Sequence, residues 1–113
     1  MHHPNYLGAH RKCWALTKKE LAHLVGFESR TPVSRCENHL SEPTVRLVLG
    51  CEVVFGLSAR ALFPALYGRV EDLVMERAAA LDEQLRGHHD AVAERKRELL
   101  KAMVERAQNL PVL

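Results

Sequence analysis

Three cysteines, a His88-His89-Asp90 triplet and a run of basic, hydroxyl and amide side chains before residue 40 are the groups in this 113-residue chain that could do chemistry. The cysteines are Cys13, Cys36 and Cys51; the number is odd and no C-x-x-C spacing occurs. That pattern predicts reduced thiols packed in small apolar slots, with Cys36 facing inward and no obvious base beside it. Adjacent histidines on a helix point apart, and no Cys or His lies four residues beyond them, so the triplet predicts no metal site. Protonation of the two imidazoles could still make that region pH-sensitive. The chain has no nucleophile elbow, Gly-rich phosphate loop or zinc motif, so neither catalysis nor a cofactor is expected.

The basic side chains are more informative. The whole chain carries 16 Lys and Arg against 14 Asp and Glu, a formal charge of only +2. Between His10 and Arg35, however, Arg11, Lys12, Lys18, Lys19, Arg30 and Arg35 face only Glu20 and Glu28. A local excess of this kind suits an anionic partner. The first dozen residues are polar and basic, without the apolar stretch of a signal peptide, and His2 and His3 receive no role. No apolar run approaches ~20 residues, so no membrane span is expected and the cytoplasm is the expected location.

Apolar residues make up 47% of the chain and aromatic ones 5%, which predicts a packed, all-α fold. A first helix is expected over Pro4 to Leu16, with Tyr6, Leu7, Ala9, Cys13 and Trp14 on its inner face. Trp14 is expected in the core. Thr17-Lys18-Lys19-Glu20 has the form of a capping box and opens a second helix. Leu21, Ala22, Leu24 and Val25 form its buried stripe, and Gly26 ends it. Thr31-Pro32 can cap and start a third helix, with Val33 and Cys36 inward and Ser34, Arg35, Asn38 and His39 outside. A fourth helix spans about Val45 to Phe55 and stops at Gly56. Ser58 caps a short fifth helix carrying Leu62 and Phe63, which Pro64 closes.

From about Ala65 the pattern changes. Val70, Leu73, Val74, Ala78, Leu81 and Leu85 make one helical stripe, and Val92, Leu99, Leu100, Met103, Val104 and Ala107 make another. Gly87 lies between them and Pro111 marks the end. A helical hairpin is the preferred reading. One long helix through Gly87 is the alternative, since an interior Gly costs only about 1 kcal/mol relative to Ala. The expected organisation is a domain over residues 1–64 and a helical extension over 65–113.

The stretches "LTKKELAHLVGF", "VSRCE", "PTVRLVLGCEVVFG" and "LSARALF" occur in the order and near the spacing of a known family. Leu16 to Pro64 resembles the helix-turn-helix domain of the lambda-repressor-like (XRE) transcription regulators. It departs from the family pattern at Lys18, usually Gln, at His39, usually Gly, and in the turn "GFESRTP", one residue longer than usual. The continuation "LFPALYGRVEDLVMERA" resembles a subgroup with a helical tail.

The resemblance implies a five-helix DNA-binding domain whose third helix enters the major groove of double-stranded DNA. Arg30, Thr31, Ser34 and Arg35 fall at positions that read bases in the family, Arg35 foremost; an Arg can donate two hydrogen bonds to one guanine. Lys18 falls where the family grips a phosphate, with Lys19, Asn38 and Arg46 as secondary candidates. Arg11 falls at the family position that pairs with Glu37, which implies a structural ion pair joining the first and third helices. The family usually binds palindromic operators as homodimers, and the tail residues Val74, Leu81, Leu85, Val92, Leu99 and Met103 are the expected dimerisation element. The tail could instead fold back on the fifth helix. The implied function is a sequence-specific transcriptional regulator, a repressor by family inference. The alternative is an antitoxin-like or adaptor protein whose tail binds another protein.

Overall fold

A computed structural model describes residues 4–109. Among them it contains seven α-helices and no strand. They are α1 (Leu7–Cys13), α2 (Lys18–Val25), α3 (Thr31–Glu37), α4 (Val45–Phe55), α5 (Ala59–Leu62), α6 (Pro64–Gln84) and α7 (Ala91–Gln108). The chain forms two compact units that divide between Arg69 and Val70, within α6. His2, His3 and Pro111 lie outside the described residues.

In the N-terminal unit, α2 packs on α3 and α4, and α4 packs on α5. Leu7, Leu21, Val33, Leu47, Cys51 and Leu62 are completely or almost completely removed from solvent. The helix ends explain why elements this short can exist. Thr17 Oγ1 accepts from Glu20 N at 3.0 Å, and Glu20 Oε1 accepts from Thr17 N at 2.9 Å, closing the capping box. Thr44 and Ser58 cap α4 and α5 by accepting from Leu47 N and Ala61 N. Helices α1, α2 and α3 all end in the same six-residue loop closure. Leu16 N, Phe27 N and Leu40 N donate to Arg11 O, Ala22 O and Arg35 O, around a left-handed residue in each case. Those residues are Ala15 (φ 57°), Gly26 (φ 95°) and His39 (φ 60°).

Several expectations need correction. Helix α1 covers seven residues, not thirteen, and its apolar residues mostly face outward. Tyr6, Ala9 and Cys13 share the side opposite Leu7 and Arg11, and it is Leu7 and Arg11 that are buried. Cys13 is therefore exposed, unlike Cys36 and Cys51. Trp14 is 69% exposed, because the helix stops at Cys13 and the left-handed Ala15 turns the chain away. Leu24 is exposed as well; the buried edge of α2 is Leu21, Ala22 and Val25, and Leu24 lies to its side. Thr31 is not the cap of α3 but its first residue, and its amide donates to Ser29 Oγ at 3.3 Å.

Between Gln84 and Ala91 the helix is interrupted, with Gly87 left-handed at φ 87°. The chain after Val70 is therefore two helical segments rather than one. Asp90 Oδ1 accepts from Ala93 N at 2.9 Å and caps α7. Arg97 bonds the Leu85 carbonyl and lies 3.2 Å from Glu94. Ala93 and Leu100 are buried, whereas Val70, Leu73, Val74, Leu81, Val92, Leu99 and Val104 remain exposed. No helix of the described residues is long and apolar enough to cross a membrane.

Helix α4 approaches α2 closely at Gly50. A Cβ placed there would lie 2.6 Å from Val25 Cγ1, inside van der Waals contact. Gly50→Ala gains helix propensity but must push α4 off α2, and overpacking of this kind costs about 1–3 kcal/mol. A urea titration is expected to show the variant less stable than the parent; equal or greater stability would show that the α2–α4 contact yields easily.

Candidate nucleic-acid interface

Helix α3 has seven residues, too few to be stable alone, so its neighbours must define it. Val33 and Cys36 fill the core beneath it. Burial raises the thiol pKa of Cys36 to about 11 and of Cys51 to about 12, and the nearby Glu37 carboxylate adds to both shifts. These thiols stay protonated and serve as packing groups.

The flank of α3 is tied to α1. Arg11 Nε donates to Glu37 Oε2 at 2.7 Å and Arg11 Nη2 donates to Glu37 Oε1 at 2.9 Å. Arg11 Nη1 donates to the Leu16 carbonyl at 2.8 Å. The two side chains are only 9% and 8% exposed. Hydrogen bonding to Glu37 holds the Arg11 guanidinium even further above its usual pKa, against the opposing effect of burial. Gly8 permits the approach, since a Cβ there would lie 3.0 Å from Glu37 Oε1. A second tie had no motif to announce it. Asn5 Nδ2 donates to Cys36 O at 3.1 Å, while Asn5 Oδ1 accepts from Leu7 N at 3.0 Å.

What remains of α3 faces outward. At about 100° per residue, Thr31, Ser34, Arg35 and Asn38 project on the side opposite Val33 and Cys36. Thr31, Arg35 and Asn38 are exposed and Ser34 is half-buried. Lys18 reaches this face from the start of α2, with Nζ 3.4 Å from Ser34 Oγ. Asn38 Nδ2 approaches the same hydroxyl at 3.4 Å. Arg35 Nη2 rests 3.4 Å from the Leu40 carbonyl, in the exposed loop closing α3. Arg30 is exposed at the N-cap position.

The other two phosphate candidates are placed differently. Lys19 lines a shallow depression on α2 with Leu16, Glu20, His23 and Leu24. Arg46, at the second residue of α4, lies against Gly26 in the turn that leads from α2 to α3. The Glu20 carboxylate at the start of α2 is held below its usual pKa by hydrogen bonds from Thr17, so it stays ionised beside Lys19.

Among the tail residues, Val74, Leu81, Val92 and Leu99 are exposed and Leu85 and Met103 are half-buried. Asp90 is engaged as a helix cap, and His89 Nδ1 lies 3.8 Å from Glu94. Among the described residues, no three His, Cys, Asp or Glu side chains gather in a group that could hold a metal ion.

Comparison with protein-family models, curated proteins and solved structures found no match to this chain.

Two stability predictions follow from the geometry. Removing one member of the pair, by Arg11→Ala or Glu37→Ala, strands a charge that is barely exposed and is expected to cost about 3–5 kcal/mol in denaturant unfolding. The double variant Arg11→Ala/Glu37→Ala should lose less than the sum of the singles, and additive losses would show that the pair does not act as a unit. His39→Gly should stabilise the protein by about 1 kcal/mol, or several degrees in Tm, because Gly adopts the left-handed end of α3 without a Cβ clash. An unchanged or lower Tm would show that the His39 side chain repays its strained backbone.

Proposed function

We propose that this chain is a sequence-specific DNA-binding transcriptional regulator of the lambda-repressor-like type, with α3 as its recognition helix. One observation carries the reading. The outward face of α3 and the start of α2 form a continuous basic and polar surface, with Lys18 Nζ 3.4 Å from Ser34 Oγ. The sole carboxylate of α3, Glu37, is withdrawn from that surface and neutralised by Arg11. A surface of this composition suits a polyanion.

In this reading Arg35 reads guanine, Thr31 and Ser34 contact bases or phosphates, and Arg30 reaches the groove from the start of α3. Lys18 holds a phosphate where α2 presents its N-terminus; its ammonium is needed there because ionised Glu20 offsets the helix dipole. Lys19, Asn38 and Arg46 add contacts that give affinity rather than sequence choice. A homodimer would place two α3 helices in successive major grooves of a palindromic operator about 34–36 Å apart. The exposed valines and leucines of α6 and α7 are the natural material for its interface. Repression by blocking polymerase is the mode the resemblance supports, in the cytoplasm of a bacterium or in a phage-infected cell.

The same exposed tail surface supports a second reading. Val92, Leu99 and Val104 could receive a different protein, making the chain an adaptor or an antitoxin-like partner in which DNA binding is secondary.

Selection of bound duplexes from a random library, at two salt concentrations, tests the first reading. A palindromic motif should emerge. Arg35→Ala should weaken binding to it by about tenfold or more and relax one base position in each half. Lys18→Ala should weaken all sequences alike and lower the salt slope by about two per dimer. Binding with no enriched motif, or no binding, would refute the reading and turn attention to a protein partner of the tail.

A further inference from the structure

After Val70 the chain is a helical hairpin with two broad sides. On one side Leu81 and Leu85 of α6 and Val92 and Ala93 of α7 line a depression of about 310 Å³. On the other, Met75 and Ala79 face Leu100 and Val104 across a larger groove. At about 100° per residue, the remaining positions of each helix fall to one side or the other. Val70 and Val74 lie with Leu81, and Leu99 and Met103 lie with Val92. Val92 is 63% exposed and Leu99 59%, and Val70, Val74 and Leu81 are exposed as well. Isolated exposed apolar residues are ordinary, whereas five gathered on one side of a hairpin form a docking surface.

The charges of the hairpin are sorted between the same two sides. Lys96 lines the depression, and Arg77 and Arg106 lie along its side of α6 and α7. All three are exposed, and none forms an ion pair with another described residue. Every carboxylate of the two helices beyond Val70 turns toward the seam between them or to the other side, among them Asp82, Glu83, Glu94, Glu98 and Glu105. Asp90 reaches the end of the depression, but its carboxylate is engaged in capping α7. The apolar side is therefore edged by cations alone. A second copy set face to face on it would bring these cations against their own kind, whatever the symmetry of the pair. A helix with an apolar stripe edged by Asp and Glu would match it in both respects. The depression between the two helices suits an inserted side chain, and the exposed apolar residues there include no aromatic of the kind that anchors a protein in a lipid surface.

We propose that this side of the hairpin docks an acidic amphipathic helix of a different protein. Apolar side chains of the partner fill the space between Leu81, Val92 and Leu99, and its carboxylates meet Arg77, Lys96 and Arg106. The proposal deepens the second of the two readings above, in which the tail receives another protein, and names the chemistry of that partner. Recognition of DNA by α3 is independent of it. A homodimer then draws on valines and leucines outside this surface, such as Val104.

Titration of the full chain with synthetic helical peptides tests it without DNA, so that failure of docking and failure of DNA binding are read separately. The probe is a peptide of about twenty residues with leucines at i, i+3, i+4 and i+7 and Glu at the flanking positions; its control has Lys in place of each Glu. The acidic peptide is expected to bind at least about tenfold tighter than the basic one, and to shift the amides of Leu81, Val92, Lys96 and Leu99 rather than those of Lys101 and Glu105. The variant Lys96→Glu/Arg106→Glu should reverse the preference between the two peptides, and Leu99→Asp should weaken both about tenfold or more. Lys18→Ala/Arg35→Ala should leave the affinity for the acidic peptide unchanged, which separates docking on the hairpin from attraction to the basic face of α3. Shifts confined to α2 and α3, equal affinity for the two peptides, or a preference that the charge reversal does not invert would overturn the proposal. So would capture of the chain by phosphatidylserine vesicles without peptide binding, which would assign the surface to a membrane. A dimer of the purified chain that shields Val92 and Leu99 from the peptide would also overturn it, and would give the surface to a second copy.

Discussion

Arg11 and Glu37 are held in two parallel hydrogen bonds with less than a tenth of either side chain open to solvent. Removing two charges from water is costly, and their attraction offsets that cost only when the geometry is good and the remaining donors are satisfied. Both conditions are met. The fork of the guanidinium matches the carboxylate, and its third nitrogen donates to the Leu16 carbonyl. That carbonyl is presented where α1 ends in a left-handed Ala15, and Gly8 leaves room for the carboxylate. The pair thus joins α1, its C-terminal loop and α3 through one set of directional bonds, which apolar packing alone would not specify.

Everything α3 can offer to a partner depends on that anchorage. The helix divides its seven residues by direction: Val33 and Cys36 into the core, Glu37 sideways to Arg11, and Thr31, Ser34 and Arg35 outward. Asn5 fastens the backbone of α3 through the Cys36 carbonyl, and Lys18 reaches Ser34 from α2. A helix this short fixed from three sides presents its outer residues with little freedom left to lose on binding, which favours affinity and selectivity together. Glu37 also shapes the surface electrostatically, since neutralising the only carboxylate of α3 leaves the outward face basic and polar.

Legibility in the sequence followed the range of the interaction. Caps are local, and Thr17-Lys18-Lys19-Glu20, Gly26, Gly56 and Ser58 stand where their chemistry placed them, so the bounds of α2, the end of α4 and the start of α5 were readable from single residues. Helix α1 was not readable, because the periodic apolar letters Tyr6, Ala9 and Cys13 lie opposite the side that α1 buries. A hydrophobic stripe finds a core face only when the core is apolar there, and α1 buries an arginine. Trp14 misled for a related reason: its size argues for burial, but a left-handed Ala15 immediately after it decides its direction. The pairing of residues 11 and 37 came from family resemblance rather than from spacing, and the bond from Asn5 to Cys36 left no signal in the local sequence. In the tail, Gly87 marked the break between α6 and α7, while the cap at Asp90 was obscured by the two histidines before it.

Amide chemical shifts of the folded protein, followed while a duplex of about twenty base pairs is added at low and then moderate salt, test most directly whether the outward face of α3 is a nucleic-acid surface. The expected result is that Lys18, Arg30, Thr31, Ser34, Arg35 and Asn38 shift together, and that added salt reverses the change. Shifts confined to α6 and α7, or no shifts at a salt concentration where charged surfaces still attract DNA, would contradict it.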